Sequence, residues 1–110
     1  MAAFVKGDVV VVPFPFSDLS NSKRRPALVA ADLNRGDLIL CMITSKDSSG
    51  EYSVSLQDVD FVTGSLNQSS YVRADRIFTA NERIILYKAG SLNSTKTQEV
   101  ISRLVEILQR

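Results

Sequence analysis

Gly7-Asp8-Val9-Val10-Val11-Val12-Pro13-Phe14 is the stretch on which the fold turns. Four consecutive β-branched residues favour extended backbone. They are apolar at successive positions, not at alternate ones, so a strand over residues 8–14 is expected to be buried on both faces. Pro13 and Pro15 cannot donate to a ladder, and so should end this strand or place its end at a sheet edge. The apolar run reaches only to Phe16 and contains two prolines. A membrane-spanning helix needs about twenty apolar residues, so none is expected here. Asp8 opens the run and no small-residue cleavage site follows it, which argues against a signal peptide.

Outward from this strand, residues 17–25 read as a polar loop closed by Pro26. Ala27-Leu28-Val29-Ala30-Ala31 resumes a strand, and Asn34-Arg35-Gly36-Asp37 is a turn. Leu38 to Ser45 completes a hairpin. Lys46 to Glu51 is a second polar loop. Tyr52-Ser53-Val54-Ser55-Leu56 alternates as a half-buried strand should. A third loop is expected through about Asn67, and alternation returns from Ser69 to Phe78. A turn or short helix follows near residues 80–82, then a strand over Arg83 to Tyr87. Gly90 is expected to break the chain before a helix. Thr95 and Gln98 have the spacing of a capping box, and Val100, Ile101, Leu104, Val105 and Leu108 mark one helical face. Five to seven short strands and one C-terminal helix predict a mainly β protein, a small β-barrel with a helix packed on it.

The chain has 110 residues, enough for one domain over residues 1–110 that removes roughly 65% of its unfolded surface from water. Hydrophobic residues make up 45% and charged residues 23%, a globular balance. Cys41 is the only cysteine, so no internal disulfide can form and a reducing cytoplasm suits the chain. Its apolar neighbours predict a buried, inert thiol. There is no histidine, which removes imidazole acid–base chemistry and nearly every zinc site. The carboxylates form no calcium-loop pattern, so neither a metal nor another cofactor is expected. The net charge is only +1, and a nucleic-acid role would require locally concentrated cations.

Three groups of residues are candidates for such chemistry. Lys23-Arg24-Arg25-Pro26 could splay three cations from a loop toward one anion, with Pro26 holding the Arg25 backbone extended. The same tripeptide could equally be a solvated basic loop. In Tyr71-Val72-Arg73-Ala74-Asp75-Arg76, period two puts Tyr71, Arg73 and Asp75 on one face. Arg73 and Asp75 could address a phosphodiester or form a surface ion pair. Thr44-Ser45 ends an otherwise apolar strand in two hydroxyls.

In this order, the pieces resemble the MazF/PemK family of toxins from bacterial type II toxin–antitoxin modules. The resemblance runs through Gly7–Phe14, Lys23-Arg24-Arg25-Pro26-Ala27-Leu28-Val29, Ile43-Thr44-Ser45, Ser70–Ile77, Gly90-Ser91-Leu92 and the terminal helix, and covers essentially the whole chain. It implies a homodimeric SH3-like barrel in the cytoplasm. The implied activity is metal-independent endoribonuclease cleavage of single-stranded mRNA, leaving a 2′,3′-cyclic phosphate and a 5′-hydroxyl. Carried across by motif, Arg25, Thr44, Arg73 and Asp75 are the expected catalytic set. Arginine keeps its proton far above neutral pH, so Arg25 and Arg73 suit electrostatic clamping, and Asp75 is the better proton acceptor. Lys23, Arg24, Ser45 and Arg76 are the expected RNA contacts. The implied partner is an antitoxin whose disordered acidic C-terminal segment competes with RNA for the loop cations. The alternative is a non-enzymatic binding module like the related CcdB toxins, but the helix ends in Val105-Glu106-Ile107-Leu108-Gln109-Arg110, without the Trp-Gly-Ile-like terminus that likeness would need.

Overall fold

In the computed structural model, residues 3–15, 22–46 and 50–110 are described. Seven antiparallel strands form one curled sheet, a half-barrel, and a helix closes its concave side. The strands are β1 (Asp8–Pro15), β2 (Ser22–Asp32), β3 (Asp37–Thr44), β4 (Ser53–Leu56), β5 (Phe61–Gly64), β6 (Ser70–Asn81) and β7 (Tyr87–Leu92), followed by α1 (Ser94–Leu108). Their order across the sheet is β4-β6-β3-β2-β1-β7-β5. The expected β-rich architecture with a terminal helix is therefore present.

β1 lies near the middle of the sheet and is buried on both faces, as its valines predict. Val9 joins one core with Leu28, Cys41, Ile43, Val72, Val100 and Leu104, beneath the helix. Val10 and Val12 join a second core on the convex face with Ala27, Val29, Leu38 and Leu40, over which Phe4, Phe78, Ala80 and Ile85 pack. Past Val11, β1 pairs with β2 and, among the described residues, with no second strand, so both prolines fall where one side of the strand has no described ladder partner. Burial pushes the Cys41 thiol up to about 12, which makes it as inert as its neighbours imply.

Several expected boundaries move. The segment expected as a loop up to Pro26 becomes strand from Ser22, because Lys23, Arg24 and Arg25 pair with Phe14, Pro13 and Val12. The β2–β3 hairpin turns as expected, with Asn34, Arg35 and Gly36 all at positive φ. The third loop contains a 3-10 turn, Asp58–Asp60, and the short strand β5, whose residues are mostly exposed. Arg83 to Tyr87 is not a strand: Glu82–Ile84 is a 3-10 turn, and β7 starts at Tyr87. Gly90 lies within β7 and does not end it.

Helix α1 is capped two residues earlier than Thr95 and Gln98 suggest. Asn93 Oδ1 accepts from the Lys96 N–H at 2.7 Å, and its backbone N–H reaches Asp60 at 2.8 Å. Asparagine is among the strongest N-cap residues. Asn93→Ala is expected to lower stability by about 1 kcal/mol in a thermal melt. Of the helix's apolar stripe, Val100 and Leu104 are buried, whereas Val105 and Leu108 stay exposed. Among the described residues, no helix is long and apolar enough to cross a membrane.

Candidate functional site

The convex face of β2, β3 and β6 carries a small cleft of about 190 Å³, lined by Arg25, Met42, Thr44, Lys46, Arg73 and Arg76. β2 alternates from Ala27 and Val29, buried on that face, to bring half-buried Arg25 out beside them. The same alternation sends exposed Arg24 to the opposite side. The three cations therefore do not converge from a loop; a strand separates them, and only Arg25 lines the cleft.

β3 contributes Met42 and Thr44. Thr44 Oγ1 accepts from the Lys46 N–H at 3.2 Å, which leaves the hydroxyl proton available to an anion. That turn also brings Lys46 to the cleft, a cation that reading the segment as a polar loop had passed over. Ser45 is exposed and, like Lys23 and Arg24, does not line it.

β6 is where simple alternation fails. Cys41 pairs with Ile77, but the next residue, Met42, pairs with Arg73. Ala74, Asp75 and Arg76 are thus extra residues on β6, a bulge within a strand paired on both sides. Inserting an odd number of residues reverses the phase. Val72 and Ala74 face the core under the helix, whereas Phe78 and Ala80 pack on the convex core. The bulge brings Arg76 to the cleft with Arg73, two residues that strict alternation would set on opposite faces.

Arg73, the last paired residue before the bulge, and Asp75, inside it, form a bidentate pair, Nε–Oδ1 at 3.0 Å and Nη2–Oδ2 at 2.9 Å. The hydrogen bonds from Arg73 hold the Asp75 carboxyl below the usual carboxylate range and push the Arg73 guanidinium further above its own. Asp75 does not itself line the cleft. Because its carboxyl is depressed in the folded state, its contribution to stability is present above the unfolded value near 3.9 and disappears as pH falls through the lower folded value. Asp75→Asn is therefore expected to melt below the wild type at pH 7, and the two midpoints to converge as pH falls and the carboxyl takes up its proton.

Four cations and a hydroxyl donor, with no carboxylate lining the cleft among the described residues, make a site for a phosphate group. Against this geometry, the sequence model of the family described as PemK-like, MazF-like toxin of type II toxin–antitoxin system matches residues 5–108. The chain belongs to the PemK/MazF-like toxin family. Solved structures of the same fold include an endoribonuclease in complex with its cognate antitoxin from a mycobacterial species, at 18% identity and TM-score 0.76, covering 97% of this chain and 96% of that one. A MazE–MazF complex from Deinococcus radiodurans matches at 20% identity and TM-score 0.75, with 96% of each chain covered. The Mycobacterium tuberculosis toxin MazF-mt6 matches at 16% identity and TM-score 0.73, covering 93% of this chain and 96% of that one. No curated protein sequence matches this toxin-family chain.

Proposed function

We propose that this PemK/MazF-like toxin is a cytoplasmic endoribonuclease that cuts single-stranded RNA, mRNA included, without a metal ion. The 2′-hydroxyl loses its proton to solvent as its oxygen attacks the adjacent phosphorus, the bond to the 5′-oxygen breaks, that oxygen takes a proton from solvent, and the ends are a 2′,3′-cyclic phosphate and a 5′-hydroxyl. The observation that carries this reading is the convergence of Arg25, Thr44, Lys46, Arg73 and Arg76 on one cleft. Negative charge accumulates on the non-bridging oxygens of the phosphorane, and preorganised cations there stabilise the transition state more than the ground state.

In this reading Arg25 is the principal clamp, Thr44 donates to a phosphate oxygen, and Lys46, Arg73 and Arg76 supply further positive charge. Asp75 holds the Arg73 fork in place and does not take the 2′-hydroxyl proton. Both its oxygens are engaged and its basicity is lowered, which makes it a poor base. Lys23 and Arg24 contribute electrostatic attraction for RNA from outside the cleft.

The antitoxin complexes of the structural relatives support a partner of the same kind here, with an acidic segment competing for the cationic cleft. A homodimer is proposed on the family likeness. The apolar residues 9–12 and 38–43 are largely covered within the chain. The apolar surface left over includes Ile84, Leu86 and Tyr87, all more than 40% exposed.

The test is incubation with a long single-stranded RNA in EDTA, with cut sites and end groups mapped. Cleavage to cyclic phosphate ends is expected. Activity that vanishes in EDTA and returns with magnesium would contradict the proposal. Light scattering at micromolar concentration checks the dimer.

A further inference from the structure

The register of β3 against β6 sets the residues of the cationic cleft in order along one line. Arg73 lies opposite Met42, and Arg76 follows within the bulge, on the side toward Ile77 and its partner Cys41. Thr44 lies one period-two step past Met42, about 7 Å along β3. It is the last residue of that strand, and Lys46 comes from the turn beyond it. Arg76 and Lys46 therefore enter the cleft from opposite ends, with Met42, Thr44 and Arg73 between them. An in-line displacement at phosphorus has the same layout. The attacking and leaving oxygens occupy opposite ends, and the non-bridging oxygens gather charge around the middle.

Breaking the bond to the 5′-oxygen leaves a strongly basic alkoxide unless a proton arrives as the bond breaks. The groups lining the cleft differ sharply in what they can give. Arg25, Arg73 and Arg76 carry guanidinium groups, which keep their protons far above neutral pH. The hydrogen bonds to Asp75 push Arg73 further up still. Thr44 is an alcohol, no readier to lose its proton than the leaving group itself. Asp75 has no proton to give, because Arg73 holds its carboxyl below the usual carboxylate range. Tyr71 pairs with Thr44 along the ladder but does not line the cleft. A lysine ammonium carries three protons on a flexible stem and releases one far more readily than a guanidinium does. Among the described residues that line the cleft, Lys46 is the group suited to proton donation.

Resting on the endoribonuclease reading, we propose that Lys46 is the general acid of this cleft, a catalytic residue that hands a proton to the departing 5′-oxygen. The electron pair of the breaking P–O bond goes to that oxygen. One Nζ–H bond of Lys46 breaks as the new O–H bond forms, and the neutral amine then takes a proton back from solvent. The 2′-hydroxyl proton goes to solvent, so the cycle returns Lys46 to its starting charge. Solvent remains the source of the proton, and Lys46 is its route. Lys46 is exposed, which lets water recharge it directly. The role separates Lys46 from its neighbours: Arg25, Thr44 and Arg73 act on the non-bridging oxygens, and Lys46 acts on a bridging one.

The experiment compares two oligoribonucleotides of one sequence in single-turnover cleavage. One is natural, and in the other sulfur replaces the 5′-bridging oxygen at the mapped cut site. A thiolate leaves without a proton, so the sulfur strand needs no acid. Lys46→Ala is expected to cut the natural strand about 10²-fold more slowly than wild type, and the sulfur strand within about threefold of it. Lys46→Arg keeps the charge without a transferable proton. It should stay about tenfold slow or worse on the natural strand and match wild type on the sulfur strand. Arg25→Ala should be slow on both. Equal slowing of both strands in Lys46→Ala would make Lys46 a source of charge alone and overturn the acid. So would a Lys46→Arg enzyme within about threefold of wild type on the natural strand. Rescue by sulfur in Tyr71→Phe, with none in Lys46→Ala, would overturn it too and move the role to the phenol. If wild type leaves the natural strand uncut, the nuclease reading fails and the acid falls with it. The other outcomes bear on Lys46 while cleavage itself stands.

Discussion

Arg25→Ala is expected to slow single-turnover RNA cleavage by about 10²–10³-fold, or about 3–4 kcal/mol in the barrier, with the circular dichroism spectrum unchanged. Arg25 reaches the cleft from the interior of a hydrogen-bonded strand, half-buried beside Met42 and Thr44. Its backbone is fixed by pairing with Val12 and by Pro26, so little ordering remains to be done when substrate arrives. The planar fork can hold two phosphate oxygens at once, and Arg25→Lys should rescue only part of the loss. Arg24→Ala should cost far less, because Arg24 is exposed and one residue out of phase with the cleft. Its effect should appear mainly as weaker, more salt-dependent RNA affinity. Both alanine variants at two salt concentrations settle the placement. An Arg24→Ala enzyme slower than Arg25→Ala, or an Arg25→Ala enzyme within threefold of wild type, would show that the principal cation lies elsewhere.

Gly90→Ala is expected to destabilise the protein by about 3 kcal/mol, measured by urea unfolding. Gly90 is buried in β7, opposite Val9 on one side and Gly64 on the other. A Cβ there would overlap the Thr63 carbonyl oxygen and lie 2.9 Å from the Phe61 ring and 3.1 Å from Gly64 Cα. The obstruction is mostly backbone, which cannot rotate away as a side-chain tip can. Gly64 is caught in the same contact, at φ 72°, where its own Cβ would strike the Ala89 carbonyl. The two glycines let β5 and β7 approach more closely than any other residues would allow. Relief requires β5 to peel off and Phe61 to leave its packing on the helix-side core. A reduced m-value in Gly90→Ala would report that peeling, and Gly64→Ala combined with it should cost less than the sum of the two.

Some of this fold is legible in the residues and some is not, for physical reasons. Val9 to Val12 announce a strand covered on both faces because no alternation is possible in a run with no polar member. The β2–β3 hairpin is legible from Asn34 and Gly36, which tolerate positive φ, and they carry Arg35 between them into the same region. β5 escapes notice because Phe61-Val62-Thr63-Gly64 is a short, mostly exposed edge strand that depends on β7 for its pairing. Within the cleft, Arg25, Thr44, Arg73 and Arg76 are found from sequence. Lys46 is not, since its arrival depends on the turn after β3. The Arg73–Asp75 pair was one of two readings of its spacing. What spacing could not reveal is the bulge beside it, which depends on β3 pairing with β6 both before and after residues 74–76.

That bulge is where the strand is freest to vary. On one side of Ala74-Asp75-Arg76, β6 is keyed to β3 through Val72 opposite Ile43; on the other, through Phe78 opposite Leu40. Those pairs decide which residue faces which core, Val72 beneath the helix and Phe78 on the opposite face, whatever length of chain lies between them. The three residues between have no partner residue on β3. A lineage of such chains can therefore rebuild Asp75 and Arg76, and the charge they set beside the cleft, while both cores are passed on intact.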